Sequence, residues 1–153
     1  MPKQAAGILL YRRGRSGLEV LLEHPGGPLW ARKDSGAWTL PKGQFTEGEL
    51  PLAAAKREFE EEMGTAPPGD FQPLGTIKQS SGKIIHAWAA EADFDVSTVK
   101  SNLFTMEWPP RSGRNGDFPE VDRAGWFSIE EARVKIIKGQ APFLERLMAM
   151  LGS

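Results

Sequence analysis

The chain of 153 residues is 40% hydrophobic and 25% charged, ordinary proportions for a compact protein, and its length suits one domain with a real core, so a single domain over residues 1–153 is expected. A formal net charge of -1 argues against an extended nucleic-acid surface, and the absence of cysteine excludes a disulfide or thiol mechanism. No apolar run approaches membrane-span length, and the short apolar stretch near the amino terminus runs straight into Arg12 and Arg13, unlike a secretory leader, so a cytoplasmic protein is expected.

Ala5–Tyr11 and Leu18–Glu23 are apolar runs on either side of the turn-forming Gly14–Gly17, and they read as two strands of a hairpin. A Pro- and Gly-rich loop follows, HPGGPLWARKDSGAW from His24 to Trp38, carrying one ring, Trp30, and two cations, Arg32 and Lys33. Such a loop either faces a substrate, stacking a base or holding phosphate, or plugs the sheet with its charges in solvent. His24, standing alone, reads as structural rather than catalytic.

Pro41, Gly43 and Gly48 break any long element before about Leu50, and Pro51 suits the first helical position, where its missing N–H costs nothing. Pro51–Met63 is rich in helix formers, and Gly64 is a natural stop. At about 100° per residue, Leu52, Ala55, Phe59 and Met63 form a packing stripe, with Glu58, Glu61 and Glu62 grouped beside it. Glutamates in the last two turns lie at the negative end of the helix dipole and repel one another, an arrangement that stability alone would not select. Grouped carboxylates in a chain with no cysteine and two histidines are the ligand set of a hard cation such as Mg²⁺ or Mn²⁺, not Zn²⁺. The plainer alternative is a solvated acidic face.

Phe71–Lys78 and Lys83–Ala90 form a second hairpin around Ser80–Gly82, with Ile84, His86 and Trp88 on one face and Ile85, Ala87 and Ala89 on the other. His86 reads as a half-buried strand histidine. Asn102–Trp108 is a further strand, and Pro109–Glu120 a polar loop long enough to be functional. Ser128 and Glu131 make a capping box for a helix to about Lys138, and Pro142 opens a last helix with Phe143, Leu147 and Met150 on one face. Phe104, Met106, Trp108 and that last helix would serve a dimer face or the core equally, so monomer and homodimer both stay open.

The segment Gly43–Thr65, GQFTEGELPLAAAKREFEEEMGT, resembles the Nudix box, G-x(5)-E-x(7)-R-E-U-x-E-E-x-G-U, with Gly43, Glu49, Arg57, Glu58, Phe59, Glu61, Glu62 and Gly64 in register. Phe59 is aromatic where an aliphatic is usual, and Thr65 replaces the last apolar residue; neither removes a chemical group. Upstream, W-x-L-P-K-G at Trp38–Gly43 resembles the approach to the box in Nudix hydrolases of dinucleoside polyphosphates and inositol pyrophosphates. Downstream, W-F-S at Trp126, an acidic helix and K-G-Q-x-P-F-L from Lys138 resemble the carboxyl end of a bacterial Nudix subfamily.

This resemblance implies a Nudix-type α/β/α sandwich, with a central mixed sheet and a loop-helix-loop motif, and metal-dependent hydrolysis of a phosphoanhydride in a nucleoside diphosphate-linked substrate. It implies Mg²⁺, with Mn²⁺ as the alternative, held by Glu58, Glu61 and Glu62 with the Gly43 carbonyl, while Arg57 orients a glutamate and Glu49 supports the helix or binds a second metal. Glu120, six residues before Trp126, would add a ligand or base, with Glu107 and Asp117 competing for that role; Glu58 and Glu120 are equal candidates for proton acceptor. Lys42, Trp30 and Lys33 would meet the substrate. A dinucleoside polyphosphate such as diadenosine tetraphosphate, cleaved asymmetrically, is favoured. Nucleoside triphosphates, ADP-ribose or other nucleotide sugars, capped RNA ends and inositol pyrophosphates remain alternatives, and a non-catalytic nucleotide-sensing module is the alternative of another class.

Overall fold

A computed structural model describes residues 3–15 and 17–152. The elements in chain order are β1 (Gln4–Gly14), β2 (Gly17–Pro25), β3 (Lys42–Phe45), α1 (Pro51–Met63), β4 (Gln72–Lys78), β5 (Ile84–Glu91), a short 3₁₀ turn (Val96–Thr98), β6 (Leu103–Glu107), β7 (Asn115–Pro119), β8 (Val121–Ser128), α2 (Ile129–Lys135), a second 3₁₀ turn (Lys138–Gln140) and α3 (Ala141–Met150). The first hairpin therefore stands as expected, although residue 16 of its turn lies outside the described residues.

The main sheet runs β4-β5-β1-β2-β8, with the short β3 also paired to β1. β1 is parallel to β5 and antiparallel to β2 and β3, so the sheet is mixed. The reason lies in AAGILLY: Ala5–Tyr11 is buried throughout, and along that stretch β1 has no solvent face. Ala5, Leu9 and Tyr11 join Val20, Leu22, Trp38, Leu40, Phe143, Leu144 and Leu147 on one side, while Ala6, Ile8 and Leu10 meet Leu21, Ala54, Ala55, Phe59 and Met63 on the other. Helix α1 covers one face and α2 with α3 the other, the expected α/β/α sandwich.

Helix α1 begins with Pro51 in its first turn and ends at Gly64, whose φ of 89° is open to glycine and whose N–H bonds the Glu60 carbonyl at 2.8 Å. Of the packing stripe, Ala55, Phe59 and Met63 are fully buried and Leu52 half-buried. The aromatic ring of Phe59 is seated edge-on against Phe94 at 5.6 Å, which gives the unusual residue of the box a matching partner.

Three expectations are corrected. Pro109–Glu120 is not simply a loop: Asn115–Pro119 is strand β7, paired with β6 in a separate two-stranded ribbon, because the turn at Pro109–Arg114 folds the chain back with Glu107 accepting the Arg111 and Gly113 N–H groups. Five strands, not four, therefore follow α1. Helix α2 stops at Lys135, since Ile136 turns extended and bridges to Trp38, giving its backbone to the core. On α3, Leu144 is buried with Phe143 and Leu147 while Met150 is exposed, so the helix spends its apolar face on the core.

Truncating Phe59→Ala leaves a cavity between α1 and the sheet, and unfolding free energy is expected to fall by about 3–5 kcal/mol. Urea denaturation, with midpoint lowered and slope unchanged, is the check.

Candidate active site

The chain reaches the site through a close crossing. The segment Thr39–Gly43 passes over β1 at Gly7, where a side chain would collide with Leu40 and Lys42, and Ile8 donates its N–H to the Pro41 carbonyl at 3.0 Å. This sets Gly43 directly beneath α1. A Cβ at Gly43 would run into the Glu58 carboxylate, so that carboxylate lies against the bare backbone of the box glycine.

Arg57 ties the acidic wall together. Its Nε and Nη2 donate to the two oxygens of Glu49 at 2.8 and 3.0 Å, and Nη1 reaches Glu58 at 3.0 Å and Glu61 at 3.2 Å. The bidentate pair is thus with Glu49, which bridges the loop to the helix. Glu49 is held below the usual carboxylate range by Arg57, whereas burial and the neighbouring Glu61 push Glu58 up in spite of it.

Glu62 turns inward and meets a residue that the box does not contain. It is 8% exposed and faces Glu23, near the end of β2, which is 3% exposed. Burial raises both, Glu62 to about 8, and the neighbouring Glu62 carboxyl raises Glu23 further, while Lys42 opposes the shift in each. Among the described residues, Glu23 Oε2 and Glu62 Oε1 are buried without a partner.

Two cavities meet here. One of about 300 Å³ is lined by Glu23, Glu62, Lys42, Lys83, Gln79 and Gln140 together with apolar residues, and an apolar slot of about 330 Å³ by Gly26, Gly27, Leu29, Phe104 and Met106. Pro25, Trp30 and Glu120 line both. The slot explains the glycine pair in HPGGP: a side chain at Gly26 would strike the Pro119 carbonyl, and a Cβ at Gly27, φ 91°, would lie 2.7 Å from the Phe104 ring.

Glu120 stands at the joint between β7 and β8, with its N–H on the Asn102 carbonyl and its carbonyl receiving the Gly26 N–H, both at 2.9 Å. Partial burial and Glu61 raise its pKa. Its competitors are occupied elsewhere, Glu107 in the β6–β7 turn and Asp117 on the Thr105 hydroxyl. Lys33 lines neither cavity; its ammonium lies 4.9 Å from the centre of the Trp30 ring, and Arg32 is exposed. His24 is fully buried between Asp122 and the Lys33 carbonyl, and His86 is half-buried against Gln4. Phe104 and Met106 face the slot, while Trp108 is exposed.

Glu23, Gln79, Lys83 and Gln140 escaped the sequence reading. Two of them carried a signal: Glu23 falls in the two-residue register of Leu21, on the face that packs against α1, and Gln140 stands in the K-G-Q-x-P-F-L stretch.

Among the described residues no three histidine or carboxylate side chains enclose a cation by themselves. A magnesium-like ion needs no such cage, because it keeps several waters and takes one or two carboxylates with substrate phosphates. The orphaned Glu62 oxygen, inside a group of carboxylates raised by burial and mutual repulsion, suits that donor chemistry.

The profile of the NUDIX domain matches residues 1–147. A search of curated proteins gave no significant match. Among solved structures, the fold is shared with a C. elegans Ap4A hydrolase in a binary complex, 24% identical over 97% of this chain and 98% of that one, TM-score 0.67. It is shared too with the NUDIX domain of Shewanella oneidensis NrtR complexed with ADP ribose, at 16% identity, 99% and 89% coverage and TM-score 0.69. A mutT/nudix family protein from Listeria innocua gives 18% identity, 99% and 96% coverage and TM-score 0.65.

A carboxyl raised from 4.5 to about 8 on folding favours the folded state below 4.5, and that advantage is lost as pH rises through 8. In EDTA, the melting temperature is expected to fall between pH 5 and pH 8, and added Mg²⁺ to stabilise more at pH 8 than at pH 5. Scanning calorimetry across that range is the check.

Proposed function

The chain belongs to the Nudix family, hydrolases of pyrophosphate bonds, and we propose that it cleaves a phosphoanhydride in a nucleoside diphosphate-linked substrate, with a dinucleoside polyphosphate such as diadenosine tetraphosphate preferred. The observation that carries this reading is the junction of the two cavities, where Glu62 and Glu120 meet a slot fit for a flat base and a compartment carrying two lysines. The W-x-L-P-K-G approach at Trp38–Gly43 and the paired Lys42 and Lys83 support a substrate with a phosphate chain. The whole chain is read as one catalytic domain.

In this reading the base enters the slot between Trp30 and Phe104, and Lys42 draws the phosphates toward α1. Glu58, Glu61 and Glu62, with the Gly43 carbonyl, would hold Mg²⁺, which when bound neutralises phosphate oxygens and lowers the pKa of water. Water attacks one phosphorus, its oxygen forming the new P–O bond as the bridging P–O bond breaks, and both products leave as phosphates. Glu120 takes the water's proton: its carboxylate has no hydrogen-bond or ion-pair partner among the described residues, whereas Glu58 is engaged by Arg57. Arg57 keeps Glu58 and Glu61 in place through the Glu49 clamp.

Ion-exchange analysis of products formed with Mg²⁺ from diadenosine tetraphosphate, ADP-ribose, ATP and dGTP tests the substrate. AMP and ATP in equal amounts from the first are expected; faster turnover of another compound moves the preference to it, and turnover of none overturns the reaction. Glu62→Gln is expected to lower kcat at least about 100-fold. Its melting temperature in EDTA at pH 8 should match or exceed the parent's, since a buried ionisable carboxyl is removed.

A further inference from the structure

His24, near the end of β2, is fully buried, and both of its ring nitrogens face oxygen: Nδ1 lies 2.9 Å from the Asp122 carboxylate and Nε2 2.6 Å from the Lys33 carbonyl. A carbonyl can only accept, and a neutral imidazole has one N–H to give. Two acceptors are served together when the ring carries both N–H groups, with Asp122 as its counter-charge. A buried cation is tolerated when it is paired and hydrogen-bonded, and both conditions are met here.

The neighbouring strand is shaped for this contact. In the β2–β8 ladder His24 pairs with Arg123 and Pro25 with Val121, so Asp122 is the extra residue of a bulge. A regular strand would turn Asp122 and Arg123 to opposite faces. Instead Asp122 reaches His24 while the Arg123 guanidinium lies 5.2 Å from the centre of the Trp38 ring, and that ring meets His24 edge-on, also at 5.2 Å. Arg123 approaches the same Asp122 oxygen at 3.4 Å, so the carboxylate stands between the imidazole and a guanidinium.

The turn that carries Trp30 hangs on this bridge. Within it, the Trp30 N–H bonds the Gly27 carbonyl at 3.3 Å and the Lys33 N–H bonds the Trp30 carbonyl at 2.9 Å. Its entry is fixed by the Gly26 N–H on the Glu120 carbonyl. Its exit is fixed at the Lys33 carbonyl by His24 and, one residue on, by the Asp34 side chain, which receives the Trp38 indole N–H and the Lys135 ammonium. His24 thus ties the exit of the turn to β8, two residues past Glu120.

We propose that His24 is a positioning residue: donating from both ring nitrogens, it joins the Lys33 carbonyl to Asp122 and so sets Trp30 in the wall of the apolar slot. The inference rests on the reading of that slot as the seat of a base and deepens it. Recognition of the nucleoside depends on His24, and recognition of the phosphates does not.

The test is calorimetric titration in Mg²⁺ with two probes, adenosine α,β-methylene diphosphate and methylenediphosphonate, which share an uncleavable P–C–P unit and differ in the nucleoside. His24→Gln is expected to weaken the nucleotide at least about tenfold, the worth of one base-stacking contact, and to leave methylenediphosphonate within about twofold. KM for the compound turned over should rise by the same factor with kcat nearly unchanged, because a seated base is held equally in the ground and transition states. Asp122→Ala, at a partly exposed side chain, is expected to weaken the nucleotide selectively by at least about threefold and decides the matter should His24→Gln fail to fold. Long-range ¹H–¹⁵N spectra of the parent, whose two histidines are told apart with His86→Gln, are expected to show both His24 nitrogens protonated at neutral pH; a bare nitrogen overturns the bridge. Parent-like affinity for the nucleotide in either folded variant, or equal loss of both probes, overturns the positioning role and leaves the hydrolase standing. A parent without preference for the nucleotide removes slot and role together. Selective loss in the variants of a parent that hydrolyses no panel compound keeps the role and removes the reaction.

Discussion

A strand with no face to water organises this molecule. Because β1 is buried from Ala5 to Tyr11, helices must cover both sides, and α1 is drawn onto Ala6, Ile8 and Leu10 by Ala55, Phe59 and Met63. That docking fixes the rotation of α1 about its axis. Once Phe59 and Met63 point at the sheet, Glu62, about 60° round the helix from Phe59, is carried to the edge of that face, and it arrives buried opposite Glu23. The inward carboxylate follows from the same helical geometry that builds the core.

The site works against the stability of the fold around it. Like charges are concentrated at the negative end of α1, two carboxyls are buried face to face, and the Gln140 amide nitrogen is buried without a partner among the described residues. Arg57 offsets part of this on the exposed side, where solvent weakens what it can contribute. On the inner side Lys42 opposes the rise of Glu23 and Glu62 without reversing it. The unrelieved part of the electrostatics is therefore on the side where a cation and phosphates would enter, which is the arrangement expected of a preorganised site.

Much of this could be read from the residues because the relevant periods are short. Thirteen residues of α1 show their faces through local spacing, Pro51 and Gly64 mark its ends, and Ser128 with Glu131 marks the start of α2. The carboxylates of the box were legible for the same reason. What was hidden depended on distant pairing. Strand β7, with Gly116 and two prolines close by, has no strand-like composition and exists because β6 offers it a partner. The end of α2 was set by Trp38, nearly a hundred residues earlier in the chain. Lys83 is an ordinary polar residue in sequence and Gln140 only one letter of K-G-Q-x-P-F-L; both reach the cavity wall through the β4–β5 turn and the turn before α3.

The β6–β7 ribbon belongs to neither helical layer. An isolated pair of strands is marginal in water, so its order is borrowed through Phe104 on Gly27, the Ser101 hydroxyl on Val121 and the backbone of Glu120. Glu120 sits at the hinge of this attachment while Phe104 and Met106 form the far wall of the slot. The wall of the slot and the backbone that carries Glu120 therefore depend on the same attachment. The ribbon thus supplies one wall of the slot and the backbone next to Glu120, while the grouped carboxylates Glu58, Glu61 and Glu62 belong to α1.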